Sequence, residues 1–170
     1  ALTSYIDLTI KNYTFYAITV MYENEDEIHM KLYKSAMVKK ESKLNIKNIN
    51  TTNIFTLVDL AISTSKIKND ISFTKNYDPS IPEFKLDASS FIKTLNQIFE
   101  VFKDKDSVSC SILLKIGEYI KIDNKKYSLI SVEIAANEKS DFSSLNVKET
   151  NSFILTSDDT KITIDLPLIL

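Results

Sequence analysis

The sequence predicts an α+β fold: a mainly antiparallel sheet of about nine or ten strands, with two α-helices near 51–65 and 88–103 packed on one sheet face. Three observations predict it. Apolar and polar residues alternate along the first and last thirds of the chain, the period of half-buried strands. Two stretches in the middle repeat apolar residues at helical spacing. Short polar turns separate the periodic segments.

The first third reads as three strands. In "YIDLTIK", Ile6, Leu8 and Ile10 alternate with Tyr5, Asp7, Thr9 and Lys11. "YTFYAITVMYE", starting at Tyr13, is apolar on both faces and rich in β-branched and aromatic residues, as a central strand requires. "NEDE", Asn24 to Glu27, is a polar turn, and "IHMKLYK" follows with Ile28, Met30 and Leu32 on one face and His29, Lys31 and Tyr33 on the other. Together they predict an antiparallel meander.

The middle carries the helices. Leu44, Ile46 and Ile49 suggest a short strand, after which Asn50, Thr51 or Thr52 offers a side-chain oxygen to cap a helix. Ile54, Phe55, Val58, Ala61 and Ile62 recur on one face of that helix. "DISFTK" returns to alternation, and "YDPSIP" is a turn. Asp87 caps a second helix whose stripe is Phe91, Ile92, Leu95, Ile98, Phe99 and Phe102, with Lys93, Asn96, Gln97, Glu100 and Lys103 opposite. When Asn50 is aligned on Asp87, the two helices and the strands after them fall into register. The span 43–116 therefore reads β-α-β-β-α-β, which predicts a split βαβ core.

The last third is strands again. Val108, Cys110, Ile112, Leu114 and Ile116 alternate inward, and Gly117 is expected to make a tight turn. "YIKIDNKKYSLISVEIA" reads as a hairpin turning at Asp123 to Lys126. A polar loop follows from Asn137 to Glu149. "SFILT" and "KITIDL" flank the turn Ser157 to Thr160, with Ile162, Ile164 and Leu166 on one face.

Composition bounds the chemistry. The 170 residues are expected to form one domain, 1–170, with a net charge of −2 and an apolar share of 44%. All 21 basic residues are Lys, and Lys, Asn and Ile dominate the usage, the mark of an AT-rich genome. Without Arg, bidentate guanidinium recognition of phosphate, carboxylate or guanine edges is unavailable. Gly117 is the sole glycine, so neither a P-loop nor a dinucleotide fingerprint can be written. His29 and Cys110 are the only imidazole and thiol, too few for a catalytic triad or a zinc site of the usual ligands. Cys110 reads as a small buried apolar residue. Glu23, Glu25, Asp26 and Glu27 cluster in one turn without EF-hand spacing and read as solvated charge. Asp158 and Asp159 sit where a turn favours Asp. The expectation is no catalytic residue, no cofactor and no metal.

A lone Cys forms no internal disulfide, and the start "ALTSYIDLT" lacks the basic flank and apolar block of a signal peptide, which predicts a cytoplasmic protein. No apolar run reaches the length of a membrane span. Asn12 and Asn50 match the glycosylation pattern in a chain rich in Asn and Thr.

Beyond Leu166, apolar Leu168, Ile169 and Leu170 close the sequence, and either tuck into their own core, add to a protein partner at a sheet edge, or mark the cut end of a longer chain. With Leu166, and with Tyr5, Tyr33 and Tyr119 on strand faces, they are the candidate partner contacts. The expected function is a non-enzymatic interaction or assembly component, as in viral or bacterial complexes, working with a protein partner or by self-association. The alternative is a nucleic-acid-binding accessory protein with a clamp-like or RNA-binding-like surface. Scattered lysines and few strand aromatics disfavour nucleic acid.

Overall fold

A computed structural model describes residues 2–10, 13–24, 27–39, 49–65, 71–145 and 152–170, the first three segments as strand backbone and register only. The elements in chain order are β1 (Leu2–Ile10), β2 (Tyr13–Asn24), β3 (Glu27–Lys39), β4 (Asn50–Thr52), α1 (Ile54–Thr64), β5 (Ser72–Tyr77), β6 (Phe84–Leu86), α2 (Ala88–Phe102), β7 (Ser107–Ile122), β8 (Lys125–Ala136), β9 (Ile154–Ser157) and β10 (Lys161–Pro167). This is the α+β class expected, with two helices and mostly antiparallel strands. The chain divides into two compact units: Ala1–Lys43 with Ile116–Ser128, and Leu44–Lys115 with Leu129–Leu170.

In the first unit, β1, β2 and β3 form the expected antiparallel meander, with β2 in the centre. The β2–β3 register slips between Tyr16 and Ala17, which face Ala36 and Lys34. Ser35 is thus the extra residue of a bulge. At its far end β3 runs parallel to β7, Val38 opposite Tyr119. The β7–β8 hairpin turns at Asp123 and Asn124, with φ of 47° and 65°. Both residue types tolerate the left-handed region, and two such residues in succession match the twist of a two-residue hairpin. The inward and outward assignments made for Ile6, Leu8, Ile10, Ile28, Met30, Leu32 and His29 lie outside the described residues, as does the acidic cluster at Glu25 and Asp26.

The second unit holds both helices and one continuous core. Strands run β5, β7, β8, β10, β9, with β5 parallel to β7 and β10 antiparallel to both of its neighbours. A parallel pair needs a long crossover, and α2 lies within it. β4 and β6 pair antiparallel in a separate two-stranded sheet. The order β-α-β-β-α-β predicted for 43–116 is therefore present from β4 to β7, but a split βαβ core is not. β4 pairs with β6 and β5 pairs with β7. β4 is three polar residues long, too short and too exposed to serve as a strand covered by helices. Element order follows from periodicity, whereas strand partners do not.

Both helices start at a side-chain cap. Asn53 accepts the Thr56 N–H at 3.1 Å, and Asp87 accepts the Ser90 N–H at 3.1 Å. The first cap was expected at Asn50, Thr51 or Thr52, but those residues are β4, so α1 starts later than its expected bound. Asp87 is as expected. Phe91, Leu95, Ile98, Phe99 and Phe102 are fully buried on α2, and Ile54, Val58 and Ala61 are buried on α1. Each large side chain so buried contributes about 1.5–3 kcal/mol. Val108, Cys110 and Ile112 of β7 meet them, with Ile130, Val132, Ile134, Ile162, Ile164 and Leu166.

Two expectations fail along β7. Gly117 makes no turn. It lies inside the strand at φ 80°, a conformation that favours glycine. Ile116 is 94% exposed although its parity matches that of Ile112. Alternation assigns a side chain to a face and does not say whether anything covers that face. No helix among the described residues is long and apolar enough to cross a membrane.

Candidate functional site

A concavity lies along the outer face of α2, a groove of about 810 Å³. Its base is the helix itself, through Ile92, Lys93, Asn96, Gln97, Glu100, Val101 and Lys103. These positions recur at three- and four-residue steps, so a helix that buries one stripe must present the other. Ser144 and Leu145, from the loop after β8, form the facing wall. Ile92 was expected in the core stripe. It is half-buried on the edge of that stripe and gives the groove part of its apolar floor, with Val101 and Leu145.

The polar groups are of two kinds. Asn96 and Gln97 are exposed amides, each able to donate and accept. Lys93 and Lys103 are cations at either end of the helical face. Glu100 holds Lys103 at 2.6 Å, and this hydrogen bond raises the Lys103 pKa above its ordinary value. Lys93 has no ion-pair partner among the described residues. An apolar floor, neighbouring amides and two cations suit a flat ring that carries an anionic group.

The facing wall is held from several sides. Phe142 meets Phe102 edge to face, with ring centroids 5.6 Å apart. Leu145 N–H donates to Phe142 C=O at 3.0 Å, and Asp141 accepts the Ser143 N–H at 2.9 Å. Hydrogen bonds from Ser143 hold the Asp141 carboxyl below its ordinary pKa. Ser140 N–H donates to Asp159 C=O at 2.8 Å.

A second polar cluster joins α1 to β5. Asp59 accepts from Lys75 Nζ at 2.8 Å and from the Tyr77 hydroxyl at 2.9 Å, while Phe55 stacks on the Tyr77 ring at 5.4 Å. The Lys75 hydrogen bond lowers the Asp59 pKa, and burial raises that of Tyr77. Each group in the cluster already has a partner, so it reads as a tether between elements.

The residues singled out in the sequence fall elsewhere. Tyr5 and Tyr33 each stand opposite Ile18, on β1 and β3. Tyr119 is half-buried on β7, with the Lys126 ammonium 5.8 Å from its ring centroid. These three belong to the first unit. In the second, Leu166 is fully buried in the core. Leu168 and Ile169 are half-buried, and Leu170 is 77% exposed. Lys85 N–H donates to Ile169 C=O at 2.7 Å and Lys85 Nζ to Leu170 C=O at 3.3 Å, so this segment runs beside β6 of its own unit. Cys110 is buried in the core, where desolvation pushes its thiol up to about 12. Lys93, Asn96, Gln97, Glu100 and Lys103 were all legible as the polar side of α2. Ser144 and Leu145 carry no sequence signal, since only the fold brings their loop to the helix.

No family model and no curated protein matches the chain. Among solved structures, it is similar to the catalytic domain of histidine kinase ThkA in a nucleotide-free form, with TM-score 0.42, 9% identity, and coverage of 72% of this chain and 97% of that one. It is also similar to the histidine kinase domain of the E. coli osmosensor EnvZ, with TM-score 0.43, 10% identity, and coverage of 72% and 90%. Both of those proteins are histidine kinase domains. On that finding the expectations of a non-enzymatic assembly component and of a nucleic-acid-binding accessory protein are withdrawn. Likeness at this level assigns no activity to the chain.

Proposed function

We propose that the second unit is a ligand-binding module for a nucleotide-like molecule, a planar heteroaromatic ring bearing an anionic group, held in the groove along α2. The observation that carries this reading is the groove's composition. Ile92, Val101 and Leu145 offer the apolar contact a ring needs, Asn96 and Gln97 can pair with its edge, and Lys93 and Lys103 flank the same face. A volume of about 810 Å³ is ample for one nucleotide. Gly117, the sole glycine, does not line the groove, so the anionic end rests on lysine side chains and not on a backbone cradle. Binding through such flexible, solvated charges weakens in salt.

Titration of the protein with adenosine, ADP and ATP, with and without magnesium and followed by amide chemical shifts, tests the reading. Saturable binding tighter than about 1 mM, with shifts at Asn96, Gln97 and Leu145, is expected. Lys93→Glu should weaken ADP more than adenosine. Absence of saturable shifts with all three ligands, or shifts that map away from α2, overturns it.

A further inference from the structure

We propose that Lys105 is a positioning residue for this groove: it latches the loop 137–145 and so sets the place of the Leu145 wall. The inference rests on the ligand-site reading above. Lys105 stands just beyond α2, its own N–H donating to Phe102 C=O at 3.1 Å. Its side chain is only 17% exposed, and its ammonium meets the start of the loop. Nζ donates to Lys139 C=O at 2.6 Å and lies 3.6 Å from Glu138 Oε2. One cation thus grips two consecutive residues at the start of the loop.

The remaining contacts carry that hold forward. Lys139 pairs with Asp159 at 3.1 Å, and Ser140 N–H reaches Asp159 C=O. Phe142 then seats on Phe102, three residues before Lys105. The turn closed by Leu145 N–H and Phe142 C=O presents Ser144 and Leu145 to the groove. The helix that forms the floor therefore also anchors the wall, through Phe102 and Lys105. Lys105 does not line the groove, so it acts on a ligand only through the loop. A wall held in place before binding saves the ligand the cost of ordering it.

The test compares wild type, Lys105→Gln and Lys105→Arg. Amide exchange of Leu145, measured without ligand, should speed up about tenfold in Lys105→Gln, the worth of one hydrogen bond to a charged donor, and stay near wild type in Lys105→Arg. Affinities for adenosine and ADP should fall by the same factor in Lys105→Gln, because the wall meets the ring and not the anion. Loss for ADP alone would mean direct charge contact and overturns the positioning role. Unchanged Leu145 exchange in Lys105→Gln overturns the latch. If wild type binds neither ligand, the nucleotide reading fails by itself, and the exchange comparison still decides whether Lys105 holds the wall.

Discussion

The Ser131 hydroxyl donates to Asp165 Oδ1 at 2.7 Å, with both residues at or below 2% exposure. They are also direct cross-strand partners in the β8–β10 ladder. A carboxylate at this depth is tolerable only with donors around it. Ser131→Ala removes one and leaves the carboxylate buried, so it should destabilise the protein by about 1–3 kcal/mol. Urea unfolding of Ser131→Ala beside Ser131→Thr, which keeps a hydroxyl, measures this. Equal stability of the two variants would show that the bond contributes little.

Asp87 should matter as a cap more than as a charge. Its carboxylate takes the Ser90 N–H at 3.1 Å and the Ser90 hydroxyl at 2.8 Å. Asp87→Ala should therefore cost about 0.5–2 kcal/mol, and Asp87→Asn, which keeps a capping oxygen, much less. Thermal unfolding of both variants at neutral pH separates the two contributions, since loss of charge alone would affect them alike.

Cys110 gives a pH signature. Burial lifts its thiol from an ordinary 9.0 to about 12. Below pH 9 the thiol is neutral in both folded and unfolded chains, and the shift contributes nothing. Above it the unfolded chain loses the proton while the folded chain keeps it, so stability falls as pH rises, by about 1.4 kcal/mol per pH unit until the folded value is reached. The stability advantage of wild type over Cys110→Ala should therefore narrow between pH 8 and 10.5. A constant gap would mean that the thiol ionises equally in both states. A thiol reagent at pH 8 should likewise modify the native protein only as fast as it opens.

Helix α2 shows what was legible. Fifteen residues divide into a buried stripe and a polar side, and Asp87 marks the start. One periodicity therefore gave both the core contribution and most of the groove floor. Ile92 shows the limit: a residue at the margin of a stripe is assigned by what packs beside it. Helix α1 shows another. Asn50 to Asn53 are four consecutive residues with capping side chains, and only the pairing of β4 with β6 leaves Asn53 as the cap.

By itself the sequence determined the α+β class, both helices, the β1–β2–β3 meander, a hairpin turn beginning at Asp123 and the inward rows of β10 and of β7 from Val108 to Ile112, because each follows from periods and turn residues that act over a few positions. Only the tertiary structure decided that β5 runs parallel to β7, that Ile116 is uncovered, that the Leu168–Leu170 segment lies against β6, and that Leu145 faces α2. Those outcomes depend on contacts between residues far apart in sequence, where many partners are similarly apolar and local pattern does not rank them.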